Sequence, residues 1–96
     1  MEITENKVTS REVKATETVD GIECAYNVST NGDTEVARTN GIFKRDGHEI
    51  GTMSQNESEI SVRTKSKNDY DLQIKLTGIA MEAIPTIQTM LEQEAL

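Results

Sequence analysis

The residue types that could carry out covalent chemistry are scarce in this chain, which has one cysteine, Cys24, and one histidine, His48. A nucleophile and a base are the minimum for covalent catalysis. Both fall on the apolar phase of predicted strands, but a simple meander separates those strands by a third and places the residues about 10 Å apart. That is too far for a direct hydrogen bond between base and thiol. We therefore predict a buried, inert Cys24, a His48 at the sheet margin beside a turn, and no enzymatic activity.

Paired carboxylates are a second source of chemistry, and Asp69 and Asp71 flank Tyr70. Acid–base catalysis requires a concave, partly desolvated site that separates two pKa values. A turn beside Lys67 does not suggest such a site, so both carboxylates are predicted to be solvated. The nucleotide-binding and metal-binding sequence motifs are also absent. The sequence predicts no catalytic residue, no cofactor and no metal.

A local basic cluster consists of Arg63, Lys65 and Lys67. Strand alternation would place all three on one face, where they could meet an acidic partner, a phosphate or RNA. Nucleic-acid-binding domains are usually basic and carry stacking aromatic residues. Here the net charge is −7, and one Phe and two Tyr are the only aromatic residues. We predict no nucleic-acid binding and keep the cluster as a candidate protein-partner surface, although basic residues on a strand also discourage aggregation.

The chain is short enough that residues 1–96 are expected to form one domain. The hydrophobic fraction of 34% indicates a thin core, or one that a second subunit completes. No stretch reaches the roughly 18 apolar residues that span a bilayer. The first seven residues lack the basic start and apolar centre of a signal peptide. With a single cysteine, which fits a reducing compartment, these features predict a soluble, cytoplasmic protein without membrane contact.

Glycine pairs divide the chain into short alternating segments. Asn-Gly and Asp-Gly pairs between such segments are strong hairpin signals, because type I′ turns need positive φ at both central residues. The strands predicted most clearly cover residues 22–29, 59–65 and 70–76, and residues 48–53 are a weaker case. The four glycine pairs are Asp20-Gly21, Asn31-Gly32, Asn40-Gly41 and Asp46-Gly47.

Two parts of the predicted sheet stay open. Val8 and Val13 lie out of phase, which indicates a bulge near Ser10-Arg11 or a first strand in two pieces. Asn40-Gly41 is compatible with a bulge in one long strand or with a turn between two short strands. The bulge is the favoured interpretation.

The apolar spacing changes from two to 3.6 residues after Leu76, which predicts a helix over about residues 78–94. The apolar positions occupy an arc of about 160°, wide enough to close over a sheet face. The predicted fold is α+β: an antiparallel meander of five or six strands over about residues 8–76, with the helix on its concave face. The residues of the arc are Ile79, Ala80, Ala83, Ile84, Ile87, Met90, Leu91 and Ala95.

These features favour a non-catalytic binding or protein-interaction domain, with a homodimer as one form. Deep packing on a curved sheet explains the wide arc of the helix. Alternatively, Met90, Leu91 and Ala95 extend beyond the sheet into a partner. A second hypothesis is a carrier that holds a small apolar ligand between sheet and helix, because few large side chains are available to fill that space. An enzyme that uses Cys24 or His48 is the third.

Overall fold

The computed structural model describes residues 11–32 and 34–94, which form five strands followed by one helix. The strands pair antiparallel in the order β1-β2-β3-β4-β5, so each pairs with its neighbours in sequence. The predicted α+β meander with a C-terminal helix is confirmed. The elements are β1 (Glu12–Val19), β2 (Ile22–Asn31), β3 (Glu35–Arg45), β4 (His48–Gln55), β5 (Ile60–Thr64) and α1 (Tyr70–Glu94).

Two of the predicted glycine turns are two-residue hairpin loops. Asp20 and Gly21 have φ angles of 51° and 79°, and they join β1 to β2. Asp46 and Gly47, at 53° and 80°, join β3 to β4. Positive φ at both central residues is the type I′ geometry, whose twist matches that of the flanking strands. These two pairs therefore set the register of both hairpins.

Asn40-Gly41 is neither a turn nor a bulge, because β3 runs through it in unbroken register. Gly41 lies opposite Tyr26 on β2 and Met53 on β4. A Cβ there would lie 2.8 Å from Met53 Cγ and 2.9 Å from Tyr26 Cδ1. Glycine is required because two large core side chains close over its Cα. The register shifts lie elsewhere, at Ser29/Thr30 and Phe43/Lys44, and the bulge expected near Ser10-Arg11 falls largely outside the described residues.

The predicted strand over residues 70–76 is wrong, because these residues form the first two turns of α1. Leu72 and Leu76 are buried, whereas Tyr70 and Ile74 are 71% and 70% exposed. Side chains two residues apart share a face in a strand, whereas in a helix side chains three or four residues apart do so. The Asp69 side chain also accepts a hydrogen bond from the Leu72 N–H at 3.0 Å, as an N-terminal helix cap does. The helix thus begins at residue 70 rather than near residue 78.

The core lies between one sheet face and the helix. β2 contributes Ile22, Cys24, Tyr26 and Val28, as its alternation predicts. On β4 the buried residues are Gly51 and Met53. The sequence had suggested that His48, Ile50 and Thr52 form the buried face. The bulge between Phe43 and Lys44 leaves Ile50 without a partner on β3 and reverses that phase. From α1 the core receives Leu72, Leu76, Ile79, Ala80, Ala83, Ile87 and Leu91.

Polar contacts hold both ends of α1 against the sheet. Near its N-terminal end, Lys75 forms an ion pair with Asp20 of the first hairpin loop. Near its C-terminal end, the Gln88 side-chain amide donates to the Thr34 carbonyl and accepts from the Val36 N–H, both at 2.8 Å. An additional ion pair joins Arg11 and Glu94 at 2.9 Å. These contacts orient the helix along the strands and determine which of its faces points outwards.

Candidate functional site

The structure separates Cys24 and His48. Cys24 lies on β2 at 2% exposure, and its thiol donates a hydrogen bond to the Ile22 carbonyl at 3.5 Å. His48 is exposed at the start of β4, and β3 lies between their strands. Burial raises the pKa of the Cys24 thiol, which lowers the fraction of reactive thiolate at neutral pH. This geometry offers no nucleophile–base pair.

We expect the Cys24 thiol to react slowly in the native protein and rapidly after denaturation. The reason is that a disulfide reagent must reach a thiolate, and Cys24 is both shielded and held in the thiol form. Titration with a chromogenic disulfide reagent, with and without guanidinium chloride, measures both rates. Modification of the native protein at the rate of the unfolded chain would contradict the burial of Cys24.

The three basic residues do not form one continuous stripe. Arg63 lies on β5 and is exposed, on the sheet face opposite the helix. The strand ends at Thr64, so Lys65 and Lys67 lie in the connection to α1, where strand alternation does not apply. Lys65 also forms an ion pair with Glu49 at 3.1 Å. The ion pair reduces the charge that Lys65 offers to an acidic partner, and the binding role of the three residues stays a prediction.

The three helix residues predicted as a partner surface lie in different surroundings. Met90 is 57% exposed on the side of α1 that faces β1. Leu91 is 3% exposed and belongs to the helix–sheet core. Ala95 lies outside the described residues. Only Met90 among these three is therefore described at a surface that a partner could contact.

A second apolar face runs along the outside of α1, and the sequence reasoning missed it. Tyr70, Ile74 and Met81 are 71%, 70% and 56% exposed. At 100° per residue they share a narrow arc with the exposed Gly78 and Pro85, nearly opposite the buried face. We call these five residues the outer face. Tyr70 and Ile74 align with Met81 only because residues 70–76 are helical.

The outer face includes a glycine that no contact among the described residues requires. A Cβ at Gly78 would meet nothing within 4 Å, and no unusual backbone angle is recorded there. Glycine inside a helix costs about 1 kcal/mol relative to alanine. Within residues 11–32 and 34–94 of one protomer, no contact offsets that cost. A bare backbone on an exposed apolar face is the feature that lets another element approach closely.

The interface between helix and sheet is tightly packed around Gly51, although a cleft of about 80 Å³ opens beside β1. At its centre a Cβ on Gly51 would lie 2.5 Å from Leu76 Cδ1 and 2.6 Å from the Arg63 carbonyl oxygen. Tyr26 and Phe43 meet edge to face nearby, with ring centroids 6.4 Å apart. The Tyr26 hydroxyl reaches the sheet edge and donates to the Glu17 carboxylate at 2.8 Å, and burial with this hydrogen bond raises the pKa of Tyr26. The hypothesis of an apolar-ligand carrier stays a prediction.

Protein-family models, curated proteins and solved structures offer no match to this chain. The function must therefore be inferred from the geometry of the described residues. Across residues 11–32 and 34–94, no three His, Cys, Asp or Glu side chains are grouped so that they could hold a metal ion. In the same described part, no helix has the length and apolarity that crossing a membrane requires.

Proposed function

We propose that this chain is a non-catalytic protein-interaction domain that forms a homodimer through the outer face of α1. The observation that carries the proposal is the exposure of Tyr70, Ile74 and Met81 on one line of the helix. Single exposed apolar residues are common, but an aligned set marks a contact surface. Burying one large aliphatic side chain contributes about 1.5–3 kcal/mol. The outer face therefore offers a strong driving force for association.

The spacing of the outer face favours another helix as the element that covers it. Ile74, Gly78, Met81 and Pro85 follow one another at intervals of four, three and four residues. This is the spacing of the seam between two packed helices. At Gly78 the absence of a side chain allows the second helix to approach the backbone.

A second copy of the chain supplies a matching helix. In an antiparallel pair centred between Gly78 and Met81, each Met81 lies over the partner subunit's Gly78. Each Ile74 then lies opposite the partner subunit's Pro85. A large residue meets a small one in both halves, as self-complementary two-fold interfaces require. This complementarity supports a homodimer rather than a random apolar contact.

The dimer is tested by Ile74→Lys, which places a charge in the seam opposite the partner subunit's Pro85. Leaving a lysine ammonium buried without a partner is costly, so the dimer should weaken by at least about 100-fold. Asn40→Lys is the matched control, because Asn40 is exposed on the sheet face that points away from the helix. Sedimentation equilibrium at about 150 mM salt measures the association of the parent and of both variants.

We expect the parent and Asn40→Lys to associate alike and Ile74→Lys to remain monomeric. Circular dichroism should show the same helix content in all three, since residue 74 points away from the core. Equal association of Ile74→Lys and the parent would place the interface elsewhere. A parent that stays monomeric throughout would remove the proposed dimer.

A further inference from the structure

The two edges of the sheet differ in their free backbone groups. On β1 the Arg11 carbonyl accepts from the Thr30 N–H at 3.0 Å, and the β1–β2 register is unbroken from Glu12 to Val19. In an antiparallel ladder, backbone groups alternate between the partner strand and the outside. The N–H and C=O groups of Glu12, Lys14, Thr16 and Thr18 therefore point away from the sheet. Together they form a regular row that an added strand could pair with.

The opposite edge is shorter and partly occupied. β5 has five residues against eight in β1. The outward carbonyl of Val62 accepts a hydrogen bond from the Gln73 side chain of α1 at 2.6 Å. Proteins commonly protect an edge strand by covering it or keeping it short. β5 shows both devices, and β1 shows neither among the described residues.

A groove runs beside β1 on the helix side. It comprises a small cleft of about 80 Å³ and an adjoining depression of about 470 Å³, both in contact with Glu17. Because side chains of an added strand would alternate, every second one would enter this groove. Met90 gives the groove an exposed apolar wall. The cleft is also lined by Ala15, Tyr26, Ala83 and Ile87, and the depression by Met81 and Pro85 of the outer face.

The charge of the groove favours a basic occupant. Its walls carry the carboxylates of Glu17 and Glu82, which form no ion pair with another described residue. The cations near its two ends, Lys75 and Arg11, are paired with Asp20 and Glu94. A Lys or Arg that enters beside Glu17 would therefore meet, in a partly enclosed site, carboxylates that no cation of the described residues pairs with.

We infer that β1 binds an extended, basic segment of a partner protein as a sixth strand of the sheet. Main-chain hydrogen bonds to the four outward-facing residues provide affinity, and the acidic groove selects basic side chains at every second position of the added strand. This site goes beyond the proposed homodimer, because its main-chain pairing uses the sheet edge, although the depression beside it also reaches Met81 and Pro85 of the outer face. The two are separable, since Ile74→Lys should abolish the dimer and leave peptide binding intact.

A synthetic peptide of eight residues that alternates valine and lysine, blocked at both ends, is the probe. We expect it to bind the parent protein and Ile74→Lys alike and to slow amide exchange at Glu12, Lys14, Thr16 and Thr18 by at least tenfold, as pairing of their outward N–H groups requires. Nuclear magnetic resonance measures binding and exchange together. Two control peptides carry glutamate in place of lysine or N-methyl groups on the pairing edge, and neither should bind.

The matched protein variants are Thr16→Pro on β1 and Ile60→Pro on β5. Proline is tolerated where a strand N–H points to solvent, so both should fold. Thr16→Pro removes one outward donor and should weaken binding at least about tenfold, whereas Ile60→Pro should not.

Equal binding of the N-methylated or glutamate peptide would overturn the proposal, even if Thr16→Pro failed to fold. The same four amides could also be protected from exchange without peptide, with protection that rises as the protein concentration rises. This would show that a second copy occupies the edge. That result would also overturn it.

Discussion

Leu76→Ala is expected to lower the free energy of unfolding by about 2–5 kcal/mol, whereas Ile74→Ala should change it by less than about 0.5 kcal/mol. Leu76 is fully buried against the sheet and Ile74 is 70% exposed, although they are only two residues apart. Urea denaturation at low protein concentration, where the monomer predominates, measures both values. A loss of several kcal/mol would be enough to unfold much of a marginal domain.

The comparison distinguishes the helix from the strand that alternation suggests. In a strand, Ile74 and Leu76 would share one face, and the two alanine variants would lose similar stability. Similar losses for both variants would therefore contradict the helical start at Tyr70. A large loss confined to Ile74→Ala would reverse the assignment of the buried face.

Gly51→Ala and Gly78→Ala should change stability in opposite directions. The new Cβ at residue 51 would clash with Leu76 and with the Arg63 backbone, which cannot move as a side-chain tip can. Overpacking of this kind costs about 1–3 kcal/mol or more. At residue 78 the new methyl group meets nothing, so the monomer should gain up to about 1 kcal/mol from helix propensity.

Thermal melts of the two variants at low protein concentration provide the measurement. Gly78→Ala should at the same time weaken the dimer, because its methyl group occupies the space under the partner subunit's Met81. A stabilised monomer with weakened association would separate the two roles of that position. A destabilised Gly78→Ala monomer, or a Gly51→Ala protein as stable as the parent, would contradict the packing described around these glycines.

The sheet was largely predictable because its signals are local. Asp20-Gly21 and Asp46-Gly47 require positive φ, and this requirement alone indicates a hairpin. The alternation of β2 from Ile22 to Val28 matches its buried face because no bulge interrupts it there. Asn40-Gly41 carries the same dipeptide signal without a turn. Its glycine is required by the large core side chains beside it, which belong to other strands.

The start of the helix was not predicted because the apolar residues there fit both the two-residue period of a strand and the 3.6-residue period of a helix. Residues 70, 72, 74 and 76 are all large and apolar, and this pattern fits a strand. They belong instead to two opposite helical faces, one buried and one exposed. The N-terminal cap Asp69 and the four-residue spacing of Leu72 and Leu76 were the signals that could have decided it.

The candidate site depends on that same correction. While residue 74 was assigned to a strand, it could not be aligned with Gly78 and Met81 on a helix. The β1 edge was equally hidden, because which edge is left uncovered is decided by long-range contacts such as that between Gln73 and Val62. The sequence could not have indicated that contact, since 11 residues separate its partners and no motif joins them.

The most direct test of the proposed dimer is a distance between its two helices. Asp71→Cys introduces an exposed thiol that a spin label can modify, while the buried Cys24 should remain unlabelled. In the antiparallel seam, residue 71 lies opposite residue 88 of the partner subunit, which at 1.5 Å per residue separates the two labels by about 25–30 Å. Pulsed dipolar spectroscopy should show this separation in the parent background and lose it with Ile74→Lys. A short distance of about 10–15 Å would indicate a parallel pair, and the absence of dipolar coupling at high protein concentration would contradict the dimer.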